Sequence, residues 1–431
     1  MRILALDVGA GTVTSAILNT ETPQPVGSTR RVEYAIDRPT NEAAEVPAGR
    51  LWTAVSAAAR GVAQAEDGIE GIGLSVLTPA LVLIDDKDQP AAPIRLPEDR
   101  RSRPAARQVQ AECGDAFLAE AGSRPLPGGT SAVAFRQIVT DDPYLIREVR
   151  RYLHLNSWLA LLITGETAFD PANAALSGLS GTLTTGQWSP RWCEYFEVEP
   201  AWLPPIVDGS ATVGTVRSAI AAELGVPAGL PVKLGTSQIC TAMLGAEVAT
   251  GDLFHSIEET QTLATLTEKP SADYRRLVFR LGVGNRFVCA AYNPVGGAPL
   301  SWLHALCFRD QTEKEFHERT IPLALERSTR VTLDPPSLAG DCLEIEARRA
   351  AFRDLTLQTD RIDLLAALLH EMRRQHERAQ AALGSTEPWR RVLLVGKNAA
   401  MVQPVLPGYD APNVQLLPED PWAGIARLFQ R

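Results

Sequence analysis

The sequence lacks any long apolar run: no stretch approaches the ~20 uncharged residues that a bilayer span requires. Its first strand-like segment reaches Asp7 after only a few apolar residues, so neither a leader nor a membrane segment is expected. Cysteine is scarce and scattered. Cys113, Cys193, Cys240, Cys289, Cys307 and Cys342 show none of the paired spacings that ligate zinc or run redox exchange, and they read as buried thiols in a reducing cytoplasm. A basic excess is missing as well. With a net charge of -9, a pI near 5.4 and no basic run denser than the one from Arg147 to Arg151, a nucleic-acid surface is not expected and a small-molecule ligand is. Low-complexity tracts and disordered tails are also absent. A hydrophobic content of 45%, a charged content of 22% and a mean hydropathy of -0.05 describe a chain that folds throughout.

At 431 residues the chain exceeds one ordinary core, so two domains of roughly 200 residues, with a cleft between them, are expected. The opening predicts a strand over 3–8, a tight turn through Gly9, Gly11 and Thr12, and a second strand over 13–18. That is a hairpin. Dinucleotide folds and P-loops instead place phosphate on a helix that directly follows a glycine loop, so both are set aside. An alanine-rich helix over 51–65, strands over 72–77 and 80–84, a proline-punctuated loop over 90–104, and helices over 105–121 and 142–164 follow. The alternation indicates an α/β protein. After a short helix over 218–224, the strand at 231–234 is taken as the start of the second domain, giving domains 1–230 and 231–431. A second strand-turn-strand spans 253–267 with Glu258, Glu259, Thr260 and Gln261 at its turn, and a strand over 392–395 ends at Gly396, where a ligand could approach closely. His255, His304 and His370 have no metal-ligand spacing and are given no role.

One phosphate-type hairpin in each half resembles the actin, hexokinase and heat-shock ATPase architecture, and further segments narrow the resemblance to the FGGY family of carbohydrate kinases, of xylulokinase type. Asp7-Val8-Gly9-Ala10-Gly11-Thr12 is similar to the family's first phosphate motif, whose aspartate holds a magnesium-bound water. Asp99 and Arg101 match a sugar-contacting pair, and Asp170, Asn173 and Ala174 match a further segment. Asn293 to Ala298, Leu300, Trp302 and the stretch from Leu338-Ala339-Gly340-Asp341 to Leu357 resemble the family's second domain. The resemblance implies two RNase H-like, actin-like ATPase domains with an interdomain cleft. It also implies a cytoplasmic protein that uses ATP and Mg²⁺ to phosphorylate a sugar or polyol, with a homodimer left open.

Several positions depart from that pattern. Leu77, Thr78 and Pro79 stand where the family has sugar-contacting Gln-Met-His, and Gln238 stands at the catalytic aspartate, in a register fixed by Gly245. An amide cannot accept a proton, and losing such a base typically removes roughly 10²–10⁴ in rate. Glu258 and Glu259 replace a glycine and a threonine of the second phosphate motif. A carboxylate about 5 Å from a phosphate charge is repelled by roughly 3 kcal/mol at an effective dielectric near 20. The adenine-side motif keeps a single glycine, Gly396. Two readings therefore stand: an impaired sugar kinase, and a catalytically inactive pseudokinase that binds a sugar or regulates a partner. An enzyme whose glutamates recruit a metal for other chemistry ranks behind both.

Overall fold

A computed structural model describes residues 1–64, 66, 68–338, 344–385, 387–418 and 421–430. Ala65, the expected end of the first helix, the matched positions Ala339, Gly340 and Asp341, and Cys342 lie outside them.

Two six-stranded sheets organise the chain. In the first, the order is Pro25–Glu33, Thr12–Asn19, Arg2–Val8, Ile69–Val76, Pro231–Ser237, Thr212–Thr215. In the second it is Leu277–Arg280, Phe287–Asn293, Gln261–Thr267, Leu253–Ile257, Val392–Val395, Val414–Leu416. The same five-strand plan occurs twice. An antiparallel hairpin (Arg2–Val8 with Thr12–Asn19, Leu253–Ile257 with Gln261–Thr267) carries an antiparallel neighbour on one side and two parallel strands on the other. Parallel strands covered on both faces need continuous apolar runs. Ile3, Leu4, Ala5 and Leu6 supply one, all with no exposure, and polarity returns only at Asp7, where the strand reaches its end.

Three sequence expectations change. The strand Pro231–Ser237 is hydrogen-bonded to Ile69–Val76 and Thr212–Thr215, so it closes the first sheet, and the change-over expected at Pro231 moves to between Ser237 and Leu253. The segment 142–164 is not one helix. It holds the strand Arg151–His154, paired with Leu81–Ile84, and then the helix Leu155–Thr164, because an available sheet edge outweighs local helical spacing. The loop over 90–104 includes a short strand, Ile94–Arg95, paired with Glu45–Val46. The remaining expected elements form, the first helix as Ala48–Ala63, and the chain adds a last helix, Trp422–Arg427. His255 is buried and satisfied, its ring nitrogens 2.8 Å from the Tyr409 hydroxyl and 2.9 Å from Gln261 Oε1.

The two sheets share an apolar core. Ile3, Ala5 and Ala16 of the first meet Phe254, Leu266 and Val288 of the second through the helices Pro171–Ser177, Gln238–Gly245 and Trp422–Arg427. Glycines permit the closest crossings. A Cβ at Gly245 would lie 2.8 Å from the Gly424 nitrogen, and one at Gly73 would lie 2.6 Å from Ile425 Cγ2, so the last helix seats directly on the first sheet. Ile425 is fully buried there. Ile425→Ala is expected to lower stability by about 2–5 kcal/mol while both lobes still unfold in one transition. Urea titration followed by tryptophan fluorescence and circular dichroism checks this, and separated transitions would mean that the shared core does not couple the lobes.

Candidate active site

Asp7 is the penultimate residue of the buried strand Arg2–Val8 and is itself half-buried. The turn after it is closed by Gly9 N–H donating to the Thr12 carbonyl at 2.9 Å, and Gly11 has φ +74°, which a side chain would strain. Tyr34 clamps the same turn, its hydroxyl donating to the Gly9 carbonyl and its backbone N–H to the Gly11 carbonyl.

Gln238 reaches this turn from two strands away at the same end of the sheet, since Arg2–Val8 and Pro231–Ser237 both run parallel to Ile69–Val76. It is the first residue of the helix Gln238–Gly245, placed by Ser237, whose hydroxyl accepts from Cys240 N–H at 3.4 Å. Its amide Nε2 donates to both carboxylate oxygens of Asp7, at 3.1 and 2.9 Å. A Cβ on Gly9 would stand 3.2 Å from that nitrogen, so the glycine lets the side chain lie against the turn. Burial pushes the Asp7 carboxyl above its usual range, opposed in part by the Gln238 amide.

The second turn is organised differently. The Glu258 carbonyl accepts from Gly297 N–H at 3.0 Å and Asn398 Nδ2 at 2.8 Å, and the Glu259 carboxylate pairs with the Lys397 ammonium. Burial would raise the Glu259 carboxyl, but the Lys397 pairing outweighs it and holds the group below its usual range. Gly396 has φ +107°, and a Cβ there would fall 2.4 Å from the Ile257 carbonyl and 2.6 Å from Glu258 Oε1. The structure therefore brings Glu258, Glu259 and Thr260 together with Gly396, as it brings Asp7, Gly9, Gly11 and Thr12 together with Gln238.

Asp99 and Arg101 form a third group. Asp99 is 3% exposed, and its oxygens accept from Arg101 Nε at 2.9 Å, Ala44 N–H at 3.0 Å and Arg95 at 3.4 Å, while Arg101 also pairs with Glu45. The cavity beside them, bounded by Pro79, Leu81, Asp99 and Ser131, measures about 10 Å³. That is room for about one water.

Lys397, Asn398 and Tyr34 were not singled out from the sequence. Lys397 and Asn398 directly follow Gly396, so a charge tally around Glu259 could have found them, whereas nothing local marks Tyr34. Among the described residues no group of three or more His, Cys, Asp or Glu side chains is placed to hold a metal. Asp7 accepts the Gln238 amide on both oxygens, so a magnesium-bound water of the kind the family uses would have to share those oxygens with it through their remaining lone pairs.

Two actin-like ATPase domains define the class of protein. A ligand-bound xylulose kinase of Lactobacillus acidophilus superposes with a TM-score of 0.87 at 15% identity, covering 100% of this chain and 89% of that one. A xylulose kinase of Rhodospirillum rubrum gives 0.85 at 20% identity, covering 99% and 89%. The N-terminal-domain model of the FGGY family of carbohydrate kinases matches residues 2–245, more than half of the chain, and the chain belongs to that family. An autoinducer-2 kinase of Yersinia enterocolitica is 31% identical over 106 residues, 25% of this chain and 20% of that kinase, so the aligned part spans about a fifth of the curated relative's length. No described helix is long and apolar enough to cross a membrane.

Because folding raises the Asp7 pKa, the folded state binds this proton more tightly than the unfolded one, and stability is lost as pH rises through the folded value. Asp7→Asn is expected to raise the melting temperature at neutral pH, with the gain shrinking as pH falls toward the ordinary carboxylate value of 3.8. Thermal melts of both proteins from about pH 4 to about pH 8 read this directly. A lower melting temperature for the variant at neutral pH would mean that the Gln238 bonds outweigh the burial of the carboxylate.

Proposed function

We propose that this FGGY-family protein binds a small sugar or polyol in a cytoplasmic setting and is impaired in ATP-dependent phosphorylation of it. One observation carries the reading: the amide of Gln238 is hydrogen-bonded to both oxygens of Asp7. Family kinases use ATP and Mg²⁺, and transfer to a hydroxyl needs a group that takes its proton. Gln238 cannot take one, and the carboxylate it occupies is the group that the family resemblance turns toward metal. Glu258 adds to the effect because its carboxylate lies against Gly396, on the adenine side. Glu259 matters less, since it is exposed and paired with Lys397, and an exposed pair in water carries little field.

A residual kinase is the second reading. The turn from Gly9 to Thr12 and Asp7 itself are retained, so positioning alone could support slow transfer. Calorimetry with Mg-ATP separates the two. The native protein is expected to show no binding in the micromolar range, and Gln238→Asp alone is expected to restore neither binding nor transfer. Combining Gln238→Asp with Glu258→Gly and Glu259→Thr is expected to restore nucleotide binding. Micromolar binding by the native protein would show that the second turn admits nucleotide, and turnover of a pentulose or polyol in a kinase assay would then sink the impaired-transfer reading.

A further inference from the structure

Asp170 is fully buried and more heavily coordinated than Asp7. It caps the helix Pro171–Ser177, its Oδ1 accepting from Ala172 N–H at 3.0 Å and Asn173 N–H at 3.4 Å. Capping needs no more than these two bonds. Three further donors arrive: Thr236 Oγ1 at 2.7 Å, Asn156 Nδ2 at 2.9 Å and Asn173 Nδ2 at 2.5 Å. They come from the strand Pro231–Ser237, from the helix Leu155–Thr164 and from the capped helix itself.

The network reaches the candidate site in two directions. Toward one side, Asn173 Oδ1 accepts from Thr78 Oγ1 at 2.9 Å and lies 2.9 Å from His154 Nδ1. Thr78 directly follows Leu77, whose N–H donates to the Val8 carbonyl at 2.8 Å, beside Asp7. Toward the other, Thr236 is two residues before Gln238. The second lobe reaches the same carboxylate. Gly282, in the loop between the strands Leu277–Arg280 and Phe287–Asn293, has φ +85°, and a Cβ there would stand 2.0 Å from Thr236 Oγ1 and 2.8 Å from Asp170 Oδ1. That loop is held on the first lobe by Gly209 N–H donating to the Gly282 carbonyl at 2.8 Å and by Gly284 N–H donating to Asp208 Oδ2 at 2.7 Å.

We propose that Asp170 is a positioning residue that couples the seating of the second lobe at Gly282 to the placement of Thr78 and Gln238 at the candidate site. Its functional consequence rests on reading that site as a ligand cleft, but the coupling does not. A buried, fully paired carboxylate has one low-energy arrangement of its donors, so displacing one donor disturbs the others. Gly282 brings the second lobe against Thr236 and Asp170, and its bare backbone leaves nothing to absorb a shift.

Hydrogen exchange of the full chain, read by mass spectrometry, tests the coupling without any ligand. Thr236→Val keeps the shape of the side chain and removes one donor. Exchange is expected to quicken several-fold both at residues 77–80 and at residues 281–284, with the unfolding transition kept single. Faster exchange confined to residues 235–238 and the helix Pro171–Ser177 would overturn the proposal and leave Asp170 as a helix cap. Asp170→Asn, which sets an amide N–H against the donors of Asn156 and Asn173, is expected to give the same two-site pattern more strongly, and if it does not fold, Thr236→Val decides alone. The two-site pattern in a protein that binds neither D-xylulose nor glycerol would sink the carbohydrate reading and keep the coupling.

Discussion

The facing surfaces of the two sheets are joined by a continuous apolar cluster, and both candidate turns grow from strands rooted in it. Ile3 and Ala5 lie in that cluster and sit on the strand that carries Asp7; Phe254 lies in it and sits on the strand that ends at Ile257, just before Glu258. Domain interfaces within one chain are ordinarily more polar, and relative motion is then the default. Here the interface is a core, with the helix Trp422–Arg427 returning from the end of the described chain to pack on Gly73. Both turns are therefore anchored within a few residues of the least compressible part of the molecule. Rearrangement at the site must be drawn from the loops beyond the core.

Within that frame the charges at the site are satisfied by the chain's own groups. Asp7 takes the Gln238 amide, Glu259 takes Lys397, and Asp99 takes Arg101, Arg95 and a backbone N–H. Two carboxylates facing each other at positions 7 and 238 would repel and would favour a cation between them. An amide against a carboxylate makes ordinary hydrogen bonds and creates no such demand. At positions 7 and 238 the contact is thus a pair of hydrogen bonds between a carboxylate and a neutral amide.

The repeated hairpin was readable because its signals are local: apolar runs, a glycine turn, and β-branched residues resuming directly afterwards. The same locality carried Asp7 and Gly396 to the ends of their strands. Where pairing decides structure, the sequence was silent. Arg151–His154 has helical spacing yet becomes a strand because Leu81–Ile84 offers an edge, and Pro231–Ser237 follows a linker-like stretch yet closes the first sheet. Gln238 could be placed in register from Gly245, and Gly245 proves necessary for a physical reason, the close crossing with Gly424. What the register did not convey was that the Gln238 side chain would lie on Asp7, since that depends on Gly9 having no Cβ. The network around Asp170 was legible only as a matched segment, because its donors come from residues 78, 156, 173 and 236, which no window of sequence holds together.

These self-pairings also bear on what a single substitution at the site would do. Groups in contact, or sharing one partner, do not contribute independently, and changing one alters the worth of the next. With Lys397 on Glu259, the charge at position 259 no longer carries its full repulsion. Gln238 with Asp7 and Glu259 with Lys397 are two separate pairings on two separate turns, so reversing one leaves the other intact.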